Sequence, residues 1–564
     1  MSKTKGNTSN KYFDVHGPVF WPATILIVLF IAITLIVGEP IKNFFSEVQN
    51  SISNTTGWFI IISINFFLFF CLYMAFSKFG KIRLGGKKAK PEFSTTAWFA
   101  MLFGAGMGIG LMFWSVAEPI YNFVSPARPD IEPKSMEAYS EGMKYVFLHW
   151  GFHAWAVYAL VGMALAYFTF NRKLPLAIRS VFYPILGERI HGRIGDVIDV
   201  LAVVATLFGL ASSLGLGVQQ VGAGMEYLFG FENNTSLQII LITVITLAAT
   251  ISVVTGLDGG VKLLSQLNLN LATVFLLILL ILGPTMFILD GFIENLGNYL
   301  GDFIKLGFWT ESYVDGKLDP NHVDWQNGWT LMYYTWWIAW SPFVGIFIAR
   351  ISKGRTIKEF VLGVLVVPTL VTFFWISAFG GTAFFFELTG VDMSSTIMKD
   401  VSTSLYFLME QLPLSSITSF LAMILVISFF VTSSDSGSLV VDSITSGGKL
   451  DAPVGQRIFW ALTEGFVAAM LLYGGGLQAI QAAVISTGLP FTVILVLMAF
   501  SLRKAMKDEK DLDESKSSSG KESEDYKKVI AEIIKQQQTK KKSIVTENQI
   551  MENQETALIK NESN

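Results

Sequence analysis

Four glycines occupy every second position of one apolar segment, Gly104-Ala105-Gly106-Met107-Gly108-Ile109-Gly110. A glycine inside a helix costs roughly 1 kcal/mol relative to alanine, so a segment that only has to sit in lipid would not carry four. Unwound backbone at membrane depth is tolerated where it lines a cavity, and its carbonyl groups can then coordinate a cation. We therefore predict a broken helix at an ion and substrate site; the alternative is close helix packing through small residues.

Aromatic residues are concentrated in two further apolar segments. In the first, Trp150, Trp155 and Tyr158 would lie within about 140° of one another around a continuous helix. The second contains Trp329, Tyr333, Tyr334, Trp336, Trp337, Trp340 and Phe343. Each tryptophan face can attract a cation by about 0.5 to 2 kcal/mol, and cages of rings bind quaternary ammonium groups, which cannot donate hydrogen bonds. The alternative is that these rings pack helices together or anchor them at the interface.

Two other segments carry hydroxyl side chains at helical spacing, namely Thr206 and Ser213 on one, and Thr432 and Ser433, a turn after Phe429, on the other. Such hydroxyls commonly donate to the carbonyl four residues earlier, which is the structural alternative. The functional interpretation is a set of hard oxygen ligands for sodium, completed by carbonyls of the unwound glycine segment. Asp435 follows directly and is either a buried functional carboxyl group or an interfacial one.

Composition identifies the class of protein. Of the 564 residues, 52% are hydrophobic and 15% charged, against roughly 25% charged in soluble domains. The single cysteine, Cys71, excludes a disulfide framework, and the five histidines show no metal-binding spacing. We expect an all-α polytopic membrane protein that has no resident cofactor, binds no nucleic acid and contains no catalytic set of an enzyme.

About twelve spans of roughly 20 apolar residues are predicted. They lie near 19–38, 57–77, 97–116, 145–170, 197–218, 237–255, 269–289, 329–350, 361–386, 412–433, 457–473 and 478–501. The loops after spans two, four and eight are rich in Lys and Arg, whereas the intervening loops are acidic, which puts both termini in the cytoplasm. We expect a cytoplasmic segment over 1–16, a transporter domain over 17–502, and a hydrophilic, mostly disordered cytoplasmic tail over 503–564.

Three motifs resemble the betaine/choline/carnitine transporter family of bacterial cell membranes. They are the glycine segment with Trp114 and Ala117-Glu118-Pro119, the run from His149-Trp150 to Trp155-Ala156-Val157-Tyr158, and the run from Tyr334 to Gly345 with Ala349-Arg350-Ile351-Ser352. The resemblance extends from about residue 12 to about residue 502. It implies two inverted repeats of five helices, about 97–289 and 329–501, after two extra helices, as in amino-acid/sodium symporters. It also implies a homotrimer in contact with membrane lipids.

The resemblance also implies site residues. An aromatic box would consist of Trp150, Trp155, Tyr158 and Trp337, with Trp336, Trp340, Ser213, Gly108 and Gly110 also at the substrate site. One sodium site would use backbone oxygens of Gly104 and Met107, the carbonyl of Phe429, and the hydroxyls of Thr432 and Ser433. A second would use Thr206 and the ring of Phe343, although the family's other threonine at that site aligns with Leu210.

The expected function is sodium-driven import of a quaternary-ammonium compatible solute, glycine betaine, in osmoprotection. Members of the family that carry choline with protons tend to have Asp where this chain has Gly110. A zwitterion brings its own carboxylate, whereas choline would leave a cation without a counter-charge in a low-dielectric cavity. The alternatives are choline, carnitine or an ectoine-like solute as substrate, or an osmotically gated channel or sensor.

Overall fold

The computed structural model describes residues 7–38, 40–106, 108–255, 262–315, 324–449, 453–476, 479, 481–508, 532 and 535. The chain divides into two units, Met1–Leu502 and Arg503–Asn564. Nearly all of the described residues are helical. The exception in regular structure is a small antiparallel pair, β1 (Asn7–Ser9) and β2 (Asp14–His16).

The helices of the first half are α1 (Gly17–Val37), α2 (Ile41–Phe76), α3 (Thr95–Gly106), α4 (Ile109–Val124), α5 (Met136–Trp150), α6 (Phe152–Ala166), α7 (Tyr183–Leu186), α8 (Arg193–Phe229), α9 (Thr235–Thr255), α10 (Lys262–Leu282) and α11 (Thr285–Gly307). Those of the second half are α12 (Trp325–Gly328), α13 (Thr330–Ile351), α14 (Ile357–Leu388), α15 (Met393–Lys399), α16 (Ser404–Glu410), α17 (Ser415–Thr445), α18 (Val454–Gly475) and α19 (Gln481–Asp508).

Among the described residues, ten helical segments are long and apolar enough to cross a membrane. They are α1, α2, α5 with α6, α8, α9, α10, α12 with α13, α14, α17 and α19. The chain is therefore a polytopic membrane protein. The two other predicted spans correspond to α3 with α4, which a break divides into short helices, and to α18, which carries Arg457 and Glu464.

One predicted span crosses the boundary between two helices. The span predicted at 269–289 is a helix that starts earlier and ends at Leu282, and α11 begins at Thr285. The intervening residues include Pro284, which lacks an N–H group and whose ring excludes the preceding turn from a continuous helix.

Two helices are interrupted at glycines. The glycine segment is broken as predicted, because α3 ends at Gly106, α4 begins at Ile109, and Gly108 is extended with φ −166° and ψ −139°. The continuous helix predicted through the fourth span is wrong, since Gly151 has φ −99° and ψ −140° and separates α5 from α6. A Cβ on Gly151 would lie 2.6 Å from Cζ of Phe373, so this position has no room for a side chain.

Helices of the first half pack against helices of the second. The most extensive contacts join α6 to α13 and α8 to α17, and α14 packs on α4 and α6. The crossing of α6 and α13 is close because two glycines meet there: a Cβ on Gly345 would lie 2.3 Å from Cγ1 of Val161 and 3.3 Å from the backbone nitrogen of Gly162. This contact brings the aromatic segment of α13 against the aromatic segment of α6.

A buried ion-pair cluster connects the start of α8 to the segment before it. The backbone N–H of Arg179 donates to Oδ1 of Asp199 at 2.9 Å, and its side chain donates to Asp199 and, at 2.8 Å, to Asp196. Asp199 has no exposed surface. His16 of β2 also lies 2.7 Å from Asp196, so the cluster fixes the chain before α1 as well.

We expect Arg179→Ala to destabilise the protein by about 3 kcal/mol, because it leaves the buried Asp199 carboxylate without its ionic partner. The matched control is Arg128→Ala, which removes the partner of the exposed Asp130 and should change stability little. Thermal unfolding of the two purified variants in detergent measures both effects. Equal melting temperatures for the two variants would contradict a stabilising role of the ion pair between Arg179 and Asp199.

Candidate functional site

The four predicted box residues come together, and we call Trp150, Trp155, Tyr158 and Trp337 the aromatic cage. Ring centroids are 5.0 Å apart for Trp150 and Trp337, 6.4 Å for Tyr158 and Trp337, and 5.5 Å for Trp155 and Tyr158. All three pairs meet edge to face, and each ring is at most 5% exposed. The faces of such rings are the surfaces to which a cation is attracted.

The interruption at Gly151 contributes directly to the aromatic cage. Trp150 is the last residue of α5, and Trp155 and Tyr158 lie in the first two turns of α6. The last carbonyl groups of a helix lack intrahelical partners. One of them, the carbonyl of His149, accepts a hydrogen bond from the indole Nε1 of Trp337 at 2.8 Å, which orients that ring across the gap between the two helices.

Of the other predicted substrate residues, Trp336 and Trp340 lie on α13 and Ser213 lies on α8. Trp336 stacks on Trp337 with a centroid distance of 5.1 Å and an interplanar angle of 9°. Nε1 of Trp340 donates to the carbonyl of Gly209 at 2.6 Å, and the hydroxyl of Ser213 lies 3.5 Å from the same oxygen. The hydroxyl of Tyr158 and Nε1 of Trp336 are buried without a hydrogen-bond partner among the described residues. They are donors that an acceptor on a bound molecule could satisfy.

Gly110 and Gly108 have no side chain, which leaves room for neighbouring groups to approach the backbone. A Cβ on Gly110 would lie 2.9 Å from Cη2 of Trp336 and 3.2 Å from Cη2 of Trp150, so glycine lets both rings approach the backbone of α4. A Cβ on Gly108 would lie 3.6 Å from the hydroxyl oxygen of Ser433. The helix break therefore lies between the aromatic cage and the hydroxyls of α17.

Two residues at the site were not among the predicted site residues. Glu118 on α4 has no exposed surface, and its carboxylate accepts hydrogen bonds from Nε1 of Trp150 at 2.8 Å and from the hydroxyl of Tyr333 at 2.6 Å. The ring of Tyr333 lies 5.5 Å from that of Trp150 and 5.8 Å from that of Trp337. The signal for Glu118 was available, since an ionisable residue in an apolar span indicates a functional site. Nothing in the spacing distinguished Tyr333 from its aromatic neighbours.

The described residues of the first predicted sodium site lie on α3 and α17. Gly104 is in the last turns of α3, and Met107 lies outside the described residues. Phe429, Thr432 and Ser433 are on α17. The hydroxyl of Thr432 donates to the carbonyl of Ser428 at 2.8 Å and accepts from Nδ2 of Asn268 at 2.7 Å, so Asn268 on α10 is a further polar group at this location.

The two residues of the second predicted sodium site lie on α8 and α13, which pack together. Thr206 has no exposed surface, and its hydroxyl has no hydrogen-bond partner among the described residues. Phe343 meets Trp340 edge to face at 5.4 Å. Leu210, which stands where the family has a threonine, fills space against α17, because a Cβ on Gly437 would lie 2.3 Å from its Cδ1.

Asp435 is buried inside α17 and does not lie at the end of the helix. Neither Asp435 on α17 nor Glu464 on α18 has exposed surface. Ser252 donates to Asp435, and Ser434 donates to Glu464 at 3.2 Å. Across the described residues, no group of three or more His, Cys, Asp or Glu side chains could hold a metal ion.

Comparison with known proteins gives one family over most of the chain. Residues 18–511 match BCCT, the betaine/carnitine/choline family transporter. The glycine betaine/proline/choline/ectoine transporter of Vibrio parahaemolyticus is 47% identical over 506 residues, which cover 88% of this chain and 88% of that protein. Glycine betaine transporter 1 of the same organism is 47% identical over 513 residues, covering 88% and 95%. A glycine betaine transporter of Bacillus subtilis is 40% identical over 492 residues, covering 87% and 94%.

These matches and the helical, membrane-spanning fold agree with the family resemblance of the three sequence motifs. Proteins of this family are transporters, so this chain is not an enzyme. The chain belongs to the betaine/carnitine/choline transporter family.

Proposed function

We propose that this protein is a sodium-coupled importer of a quaternary-ammonium compatible solute, and that glycine betaine is its main substrate. The observation that carries the proposal is the aromatic cage, because four buried rings from α5, α6 and α13 form one continuous edge-to-face cluster. A trimethylammonium group has a diffuse positive charge and no hydrogen-bond donor, so ring faces are the surfaces that suit it. The unpartnered donors of Tyr158 and Trp336 suit the carboxylate of a zwitterion.

Sodium as coupling ion is supported by the hydroxyl oxygen of Ser433 beside Gly108, close to the end of α3 at Gly106, because the last carbonyls of a helix lack intrahelical partners. A membrane potential of about 100 mV is worth roughly 2.3 kcal/mol per charge. Because 1.4 kcal/mol is a factor of ten, one sodium ion per solute would support about 40-fold accumulation from the potential alone. Such accumulation is what osmoprotection requires.

The architecture that we propose has twelve spans in a bacterial cytoplasmic membrane, with both termini in the cytoplasm. The ten apolar segments, the α3–α4 pair and α18 account for that number. Residues about 97–289 and 329–501 would form two inverted repeats of five helices that rock to give alternating access. By family resemblance, the protein would be a homotrimer in contact with membrane lipids.

The direct test is uptake of labelled betaine into proteoliposomes, with and without an inward sodium gradient. Saturable betaine uptake that depends on sodium and concentrates the solute supports the proposal. Uptake that only equilibrates betaine would indicate a channel. Sodium-dependent accumulation of carnitine or ectoine but not betaine would show that the main substrate is another solute, while the transport mechanism stays the same.

Trp337→Leu should weaken the apparent betaine affinity roughly tenfold, because it removes about 1 to 2 kcal/mol of cation attraction from the aromatic cage. The matched control is Trp375→Leu, which removes another buried tryptophan that packs on Phe275 and Phe379 of α10 and α14. Trp114 is a poorer control since its ring contacts Tyr333. The half-saturating betaine concentration of each variant is measured at equal protein abundance. An unchanged value in Trp337→Leu would contradict binding of the substrate by the aromatic cage.

Gly110→Ala should also weaken betaine affinity severalfold, because its methyl group would force the rings of Trp336 and Trp150 to move. Gly297→Ala in α11 is the control, since a Cβ there meets nothing within 4 Å. The same uptake assay compares the two variants. If both alanine variants keep wild-type affinity, the ring positions at α4 do not matter for binding.

The double variant Thr432→Ala with Ser433→Ala should raise the half-saturating sodium concentration at least tenfold, equivalent to about 1.4 kcal/mol, because two oxygen ligands are lost. The control is Ser486→Ala with Thr487→Ala, an adjacent pair on α19 whose hydroxyls donate to the carbonyls of Ala482 and Ala483. Initial betaine uptake is measured against sodium concentration for both. Unchanged sodium dependence in the first variant would rule out this site.

A further inference from the structure

The carboxyl group of Glu118 accepts two hydrogen bonds and contacts a third polar group, the imidazole of His149. Besides the donors of Trp150 and Tyr333, Nδ1 of His149 lies 2.6 Å from Oε1, and Nε2 of the same ring lies 2.9 Å from the hydroxyl of Thr330. One neutral tautomer of His149 satisfies both contacts, with Nδ1–H donating to Glu118 and Nε2 accepting from Thr330. In that tautomer three donors meet two oxygens, which is the arrangement that an ionised carboxylate accepts.

This charge lies directly behind the aromatic cage. Within the described part of the chain, Glu118 forms an ion pair with no lysine or arginine, and its histidine partner can be neutral. One indole ring, that of Trp150, separates the carboxylate from Trp337. A hydrogen bond from the indole N–H to a carboxylate polarises the ring, which makes the ring face more attractive to a cation.

We propose that Glu118 is the fixed counter-charge of the aromatic cage and a positioning residue for Trp150 and Tyr333, and that it sets the preference of the site between a bare cation and a zwitterion. This inference rests on the proposed function, because it assumes that the aromatic cage binds the ammonium group. It also changes the expectation from the sequence: with neutral Gly110, a bound cation would still have a counter-charge, since the protein supplies one from α4.

The two kinds of substrate respond differently to that charge. Choline carries a single positive charge, so the field of Glu118 attracts the whole molecule. In betaine, attraction of the ammonium group is partly cancelled by repulsion of the substrate carboxylate, and the net effect is smaller. Removal of the charge should therefore weaken choline binding more than betaine binding, whereas a general loss of structure would weaken both by the same factor.

The first variant is Glu118→Gln, which keeps the size of the side chain and removes the charge. Proteoliposome uptake of labelled betaine gives its half-saturating concentration, and unlabelled choline as competitor gives its inhibition constant. We expect the ratio of the choline constant to the betaine constant to rise at least tenfold. Glu118→Asp, which keeps the charge, should keep the ratio within about threefold even if both affinities fall. An unchanged ratio in Glu118→Gln overturns the proposal.

Tyr333→Phe provides an opposite test and also serves if Glu118→Gln does not fold. It removes one hydrogen-bond donor from the Glu118 carboxylate but leaves the aromatic ring in place, so the negative charge of Glu118 is less screened. The ratio of the choline constant to the betaine constant should therefore fall severalfold. A ratio that stays constant or moves toward betaine contradicts the role of the charge.

The control is Glu464→Gln, the same substitution at another fully buried glutamate, which accepts from Ser434 on α17 and should leave the ratio unchanged. Failure of the two ideas can be told apart with the wild-type protein. If wild-type proteoliposomes do not take up betaine, the proposed function fails and this inference with it. If they do take up betaine, the ratio of the choline constant to the betaine constant in the Glu118 and Tyr333 variants tests the role of Glu118 separately from the proposed function.

Discussion

The hydrogen bonding of one buried carboxyl group, that of Glu118, organises the centre of this protein. A carboxyl group with no exposed surface is tolerated only when its oxygens are hydrogen-bonded, and the hydrogen-bond partners of Glu118 lie on α5 and α13. The end of α5, the start of α13 and the middle of α4 must therefore keep one mutual arrangement. That arrangement brings Trp150 against Trp337, so the geometry of the aromatic cage follows from the hydrogen-bonding needs of an acid behind it.

Glycine makes this arrangement sterically feasible. The break at Gly151 frees the carbonyl that orients Trp337, and the absence of a side chain at Gly110 lets two indole rings reach the backbone of α4. Close approach at Gly162 and Gly345 then holds α6 and α13 together. The glycines cost helix stability where they stand, and they permit contacts that larger residues would prevent.

A second polar region lies on α17, on the other side of the break at Gly108. Its hydroxyl groups and Asp435 bond to residues of α9 and α10, namely Ser252 and Asn268, whereas Ser433 approaches the broken helix. A helix break that separates an aromatic cage from a row of oxygen groups would let one backbone segment respond to an ion and to a solute together. This is the physical basis on which coupling between the two would depend.

Composition and hydrophobic length were enough to predict an all-helical membrane protein, because apolar spans must satisfy their own backbone hydrogen bonds. The glycine segment likewise predicted its own break, since four helix-destabilising residues lie within seven positions. The continuous fourth span was wrongly predicted because a single glycine is tolerated in a helix, and the contact of Gly151 with Phe373, distant in sequence, is absent from any local pattern. Glu118 could have been singled out as an ionisable residue in an apolar span, but only the tertiary structure selected Tyr333 from its aromatic neighbours. The partners of both residues depend on hydrogen bonds between α4, α5 and α13, which no spacing along the chain encodes.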